Sequence, residues 1–183
     1  MTDYPKPTKE QIRASAGRTI HDVIAPGLSV LFCGINPGLY SGAVGHHFAR
    51  PGNRFWPTLY SSGFTDRLLS PFEERELLKV GCGITNIVRR ATARADELSP
   101  AELIAGARRL PAKVRRYQPK CVAVVGVGAY RIAFKRPDAV VGKQVDTIGQ
   151  ATLWVLPNPS GLNAHYQLND LALAFKELRL VTE

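Results

Sequence analysis

Apolar residues fall along this chain in short runs separated by polar segments rich in glycine and proline. Ser29–Gly34, Gly83–Val88, Cys121–Gly126 and Thr152–Leu156 are largely apolar throughout, as expected of strands buried on both faces. Between them lie helix signals. Arg54–Ser62 has helical spacing and Gly63 as its stop. Ser70-Pro71-Phe72-Glu73 and Ser99-Pro100-Ala101-Glu102 both read as capping boxes with proline at the first helical position. The first opens a helix to Val80. The second opens a longer one with Leu103, Ala107 and Leu110 on one face, which Pro111 bends or interrupts. A short helix over Ala129–Phe134 and an amphipathic one over Asn169–Leu178 complete the series. Buried strands alternating with helices predict a three-layer α/β/α sandwich around a mostly parallel sheet. The segment from Ile35 to Gly52 is expected to be a glycine- and histidine-rich loop.

Two strand ends carry the same punctuation. The run beginning at Leu31 stops at Asn36-Pro37-Gly38, and the run ending at Leu156 stops at Pro157-Asn158-Pro159-Ser160-Gly161-Leu162. Ligands bind beyond the carboxyl ends of strands in open α/β sheets, so the two turns read as two walls of one site.

With 183 residues, 45% of them hydrophobic and 21% charged, the composition is that of one globular domain, expected over residues 19–183. Residues 1–18 read as a basic arm or a short helix laid on the surface. Lys and Arg number 24 against 15 Asp and Glu, a net charge of +9 that favours an anionic partner, nucleic acid first. The excess is expected on the face that would meet that partner. Cys33, Cys82 and Cys121 are scattered and form no C-x-x-C pair, which fits buried thiols rather than disulfides or a metal centre. Neither a membrane span nor a secretory signal is legible, so the expected setting is the cytoplasm.

The loop Gly45-His46-His47-Phe48-Ala49-Arg50-Pro51-Gly52-Asn53-Arg54-Phe55-Trp56 combines small residues, aromatics able to stack on a planar base and arginines suited to phosphates. It stands after GINPGL and before Gly83-Ile84-Thr85-Asn86, Tyr117-Gln118-Pro119 and Leu-Pro-Asn-Pro-Ser-Gly-Leu at 156–162. In that order, over roughly residues 20–180, the series resembles the mismatch-specific uracil/thymine-DNA glycosylases, a branch of the uracil-DNA glycosylase superfamily.

The resemblance implies a monofunctional enzyme of base excision repair, without metal or cofactor, acting on double-stranded DNA as a monomer. It would flip uracil, or another damaged pyrimidine opposite guanine, out of the duplex and hydrolyse its N-glycosidic bond. Asn36 would orient the attacking water. Phe48 would stack on the base, backbone around Ile35 and Gly38 would read its edge, and Asn86 and Asn158 would line the pocket. Ser160, Gly161, Leu162, Asn163 and His165 would form the wedge that enters the gap in the stack.

An amide positions water but cannot take its proton. Asp96, following the strand Gly83–Val88, is therefore the candidate for a general base or for an anion stabilising a cationic sugar. Two departures stand out. Asn163-Ala164-His165 replaces the Ser-Arg expected after the wedge leucine, weakening contact with the opposite strand. Asn86 stands where bacterial members carry lysine and resembles the thymine-DNA glycosylase branch.

Other residues read as packing: His21, Trp56 and Trp154 belong with the core or surface. Gly126-Val127-Gly128-Ala129-Tyr130-Arg131 opens like a dinucleotide fingerprint, but Arg131 occupies the third glycine position. None of the lysines sits in a Schiff-base setting, so hydrolysis without strand cleavage is expected. A non-catalytic reader of damaged DNA on the same fold, and a small nucleotide-binding protein, are the alternatives.

Overall fold

The structure is a computed structural model, in which Tyr4 and residues 6–182 are described. Five strands form one sheet: β1 (Val30–Gly34), β2 (Cys82–Asn86), β3 (Cys121–Val125), β4 (Gly142–Ile148) and β5 (Ala151–Leu156), in the order β2-β1-β3-β5-β4. β1 runs parallel to β2 and β3, and β3 parallel to β5; β4 alone is antiparallel, paired with β5.

The strands read as uniformly apolar because each residue is buried on one face or the other. Val30 and Phe32 of β1, Cys121, Ala123 and Val125 of β3, and Trp154 and Leu156 of β5 enter one core. Phe55, Trp56 and Leu59 of α3 (Phe55–Ser61) and Phe175 and Leu178 of α7 (Leu168–Thr182) cover it. The alternate positions, Cys33, Val122, Val124, Leu153 and Val155, enter a second core. Leu103 and Ala107 of α4 (Pro100–Ala107), Leu110 and Val114 of α5 (Leu110–Tyr117), and Tyr130 and Ala133 of α6 (Val127–Ala133) cover that one. The two-residue period of a strand thus yields the expected three layers. Phe32 anchors the first, edge-on to Phe55 at 5.5 Å and stacked on Phe175 at 5.8 Å. All three cysteines are buried free thiols, and burial pushes Cys33 and Cys82 up to about 12.

Both capping boxes form. Ser99 and Glu102 exchange backbone and side-chain bonds at the start of α4, and Pro111, in the first turn of α5, separates that helix from α4. Ser70 and Glu73 do the same, but the segment they open, Pro71–Val80, winds as a 3-10 helix broken at Glu73 (φ −100°, ψ 16°). Two elements escape the hydrophobic pattern. The expected loop after β1 contains α2 (Leu39–Val44), a short helix whose cap, Gly38, offers no side chain. β4 alternates half-buried and exposed residues at the sheet edge and lacks the apolar run that marks the others.

Of the N-terminal segment, residues 1–3 and 5 lie outside the described residues. Lys9–Arg13 forms α1, a surface helix capped by Thr8 and Gln11. Ser15 Oγ then bonds the carbonyl of Leu39, tying the segment to α2, and Gly17 N donates to Ala91 O at 2.9 Å, tying it to the stretch after β2. No helix among the described residues is long and apolar enough to cross a membrane.

Candidate active site

The carboxyl ends of β1, β2, β3 and β5 surround a cleft of about 380 Å³. Ile35, Asn36 and Gly38 follow β1; Asn86 and Val125 end β2 and β3; Asn158 follows β5. Phe48, Asp96, Ser160 and Leu162 complete the lining. Most of the residues singled out from the sequence, separated by up to about 125 positions, therefore meet in one place. Gly161 lines an adjoining cavity of about 270 Å³ with Gly52 and Leu162, while Asn163 and His165 lie further along that loop.

Asn36 is fixed by hydrogen bonds that also settle which way its amide faces. Nδ2 donates to the carbonyl of Arg90 at 3.0 Å and to Thr92 Oγ1 at 2.8 Å. A carbonyl only accepts, and Thr92 spends its own proton on Arg94 O at 2.7 Å, so both contacts require the NH2 end of the amide. With both N–H groups used, Asn36 offers its oxygen. Asn158 is the reverse. Its Oδ1 accepts from Ser160 N at 2.9 Å in an Asx turn, which leaves its NH2 end without a protein partner among the described residues. One wall presents an acceptor and the other a donor.

Asn86 is set by a relay through His47. The carbonyl of His21 can only accept, so the 3.0 Å contact from His47 Nε2 places the imidazole proton there. Nδ1 is then an acceptor and receives Asn86 Nδ2 at 3.3 Å. Burial lowers the His47 pKa from 6.5, against an opposing pull from Glu74, and so favours the neutral ring this relay needs. Glu74, itself buried, receives His47 N at 2.8 Å and pairs with His46 Nδ1 at 3.0 Å, pinning the His46-His47 turn.

Phe48 is half-buried and held at φ +52°, a conformation few non-glycine residues adopt. Its ring stacks on Phe55 at 4.0 Å and 19°, which braces it as a flat wall of the cleft. Room for this wall comes from Gly34. A Cβ there would stand 2.5 Å from Asn86 Oδ1 and 3.2 Å from the Phe48 ring.

The loop beyond β5 is held from outside the cleft. Arg54 reaches from the start of α3 to the carbonyls of Ser160, Asn163 and Tyr166, the second at 2.9 Å, while its backbone N donates to Pro159 O at 3.0 Å. Asn163 folds back so that Nδ2 bonds Asn158 O at 2.9 Å. Leu162 is thereby lifted to 75% exposure at the tip. Asp96 sits in the 3-10 turn Ala95–Glu97 at the mouth of the cleft, exposed and paired with Arg94.

Thr92, Glu74, His47 as a relay, and Arg54 as a clamp carry no motif of their own. Only the presence of His47 and Arg54 in the GHHFARPGNRFW stretch marked them.

A family profile described as the uracil DNA glycosylase superfamily matches residues 21–179. The chain belongs to that superfamily. Membership gives it a uracil DNA glycosylase-like hydrolytic function on DNA as its general activity. In fold, this superfamily member is similar to the solution NMR structure of a provisional uracil DNA glycosylase from Methanosarcina acetivorans. The two share a TM-score of 0.57 and 16% identity over 89% of this chain and 98% of that one.

Proposed function

We propose that this superfamily member is a monofunctional DNA glycosylase of the mismatch-specific uracil/thymine branch, acting as a monomer through residues 19–183. It flips uracil, foremost from a G·U pair, into the cleft and leaves an abasic site. The observation that carries the reading is the pair of oppositely presented asparagines, Asn36 as acceptor and Asn158 as donor, in one cleft that Phe48 also lines.

The flipped pyrimidine stacks on the free face of Phe48, and the Asn86 amide, oriented by neutral His47, pairs with its edge. Leu162 fills the gap left in the duplex. A water donates one hydrogen to Asn36 Oδ1, which turns a lone pair toward the deoxyribose C1′. As the C1′–N1 bond breaks, its electron pair leaves with the base, and the Asn158 NH2 donates to the oxygen where that negative charge collects. The water oxygen bonds to C1′; its surplus proton passes to solvent, and the departed pyrimidine anion is protonated from solvent. Asp96 acts through its charge on the cationic sugar rather than by holding the water. Its exposed carboxylate is screened until DNA covers it.

With no carboxylate on the water, rate comes from orientation and electrostatics, and turnover is slow. Asn163-Ala164-His165 offers the opposite strand no arginine, so guanine is favoured less strictly than in relatives that carry one.

A labelled duplex with one G·U pair, incubated with the protein and then treated with alkali, tests this. Strand scission at uracil only after alkali supports it. Binding without an alkali-labile site would make the chain a non-catalytic reader of damaged DNA.

A further inference from the structure

The net charge of +9 is not spread over the surface. Residues 103–137 hold nine Lys and Arg and no Asp or Glu, so the remainder of the chain carries 15 of each sign. Within the stretch, Lys113 pairs with Asp22 and Arg136 with Asp146. Arg108, Arg109, Arg115, Arg116 and Lys120 are exposed and have no acidic partner among the described residues.

These cations are not where the cleft is. α5 leads into the amino end of β3, and Gly149-Gln150 into the amino end of β5. Between them lies a groove of about 570 Å³, larger than the cleft, lined by Val114, Arg115, Pro119, Lys120 and the Gly149-Gln150 turn. Part of the basic excess thus lies away from the wedge face: Arg50 and Arg94 line the cleft, while Arg115 and Lys120 line the groove at the opposite end of the sheet.

Holding unpaired like charges together costs stability and favours any polyanion that releases counterions on binding. A protein partner would also need an apolar or aromatic anchor. None of the exposed large hydrophobic residues among those described falls between 100 and 125. A phosphate backbone needs only the cations. A duplex seated in the cleft cannot bend round to the groove, because DNA stays stiff over about 150 base pairs and a domain of this length has a radius of gyration of about 16 Å.

We propose that the groove at the amino ends of β3 and β5 binds the phosphate backbone of a second DNA segment through Arg115 and Lys120, flanked by Arg116, while the cleft holds the first. The protein then bridges two duplexes and can pass from one to the other without release. This goes beyond the reading of the cleft and rests on it only for the first duplex.

The test immobilises one short uracil-free duplex on beads, loads the protein, and measures capture of a second, labelled uracil-free duplex at low salt. Wild-type protein captures it. R115E/K120E loses the capture, whereas R75E/K176E, with the same change in net charge, keeps it. R115Q/K120Q captures with a salt slope shallower by about 2 in log–log terms. No capture by wild type, or equal capture by both charge-reversed variants, overturns the proposal. So does capture of poly-glutamate, but not DNA, that depends on Arg115 and Lys120, which would assign the groove to an acidic protein. Direct titration of one labelled duplex separates the two readings. If the cleft does not hold DNA, R115E/K120E loses all binding; if the groove does not, that variant binds as wild type does.

Discussion

At the carboxyl ends of the parallel strands the asparagines are committed before a substrate arrives, while at their amino ends Arg115, Arg116 and Lys120 have no acidic partner among the described residues. Asn36, Asn86 and Asn158 each have one end of the amide tied to the protein, so each shows a substrate a defined donor or acceptor. Arg115 and Lys120 are exposed cations with no acidic partner among the described residues, and Arg116 lies over the Tyr117 ring at 5.3 Å. The first arrangement suits recognition that depends on an ångström; the second suits a ligand that offers phosphates at any register. On the proposed reading, preorganisation marks the end where a bond is broken, and loose charge the end where a second DNA segment is held.

The sharpest way to break this contrast is to loosen the committed end. Thr92→Val removes an acceptor of Asn36 while keeping the side-chain volume. Single-turnover excision from a G·U duplex should fall about 100-fold, as expected when a reacting group is misplaced by about 1 Å. An effect below about threefold would show that Asn36 needs no such tether.

Arg54→Met strips three carbonyls of a charged donor. Thermal unfolding should show a loss of about 2 to 4 kcal/mol, and excision from duplex should fall by about tenfold as the wedge loosens. Arg54→Lys should restore part of both, since an ammonium can reach one carbonyl but not fork across three.

The pH dependence tests the His47 relay. Its folded pKa lies below the unfolded value near 6.5, so the unfolded chain binds the extra proton first. The contribution of this group to stability is therefore full above pH 6.5 and is lost progressively as pH falls toward the folded value. Excision should fail over the same acid range, because a proton on Nδ1 would face Asn86 Nδ2 and turn its amide. His47→Gln should flatten both acid limbs; unchanged limbs would remove His47 from the account.

Asp96→Asn should slow excision by about three- to tenfold, a small electrostatic effect for a carboxylate whose charge is offset by its pairing with Arg94. An unchanged rate would exclude Asp96 from catalysis. The smallest effect belongs to the other end of the sheet: R115Q/K120Q should shift unfolding stability by less than about 0.5 kcal/mol.

How much of this could be read from the sequence divides along the same line. Strands buried on both faces, the Ser-Pro capping boxes and the proline break before α5 are local, and their patterns lie within a few neighbouring residues. α2 and β4 were hidden because one is capped by a glycine and the other lies half in solvent. At the site, Asn36, Phe48 and the Asn158–Leu162 turn stand in stretches whose residue types announce the chemistry. Thr92, Glu74 and Arg54 act across separations of 56, 28 and up to 112 residues, and no local pattern encodes a partner at that distance. The basic run at 103–137 stands in the sequence, but its place required the topology: the crossover from β2 to β3 carries Arg115, Arg116 and Lys120 toward the amino end of the sheet, while Arg131, Lys135 and Arg136 follow β3.

The central claim is that the Asn36 oxygen, held outward by Arg90 and Thr92, positions the water that cleaves the glycosidic bond. Single-turnover excision from a G·U duplex by Asn36→Ala, measured beside binding of the abasic product, tests it directly. The account predicts a rate lower by about 10² to 10⁴ with product binding retained. A rate within about threefold of wild type, at equal occupancy, would contradict it.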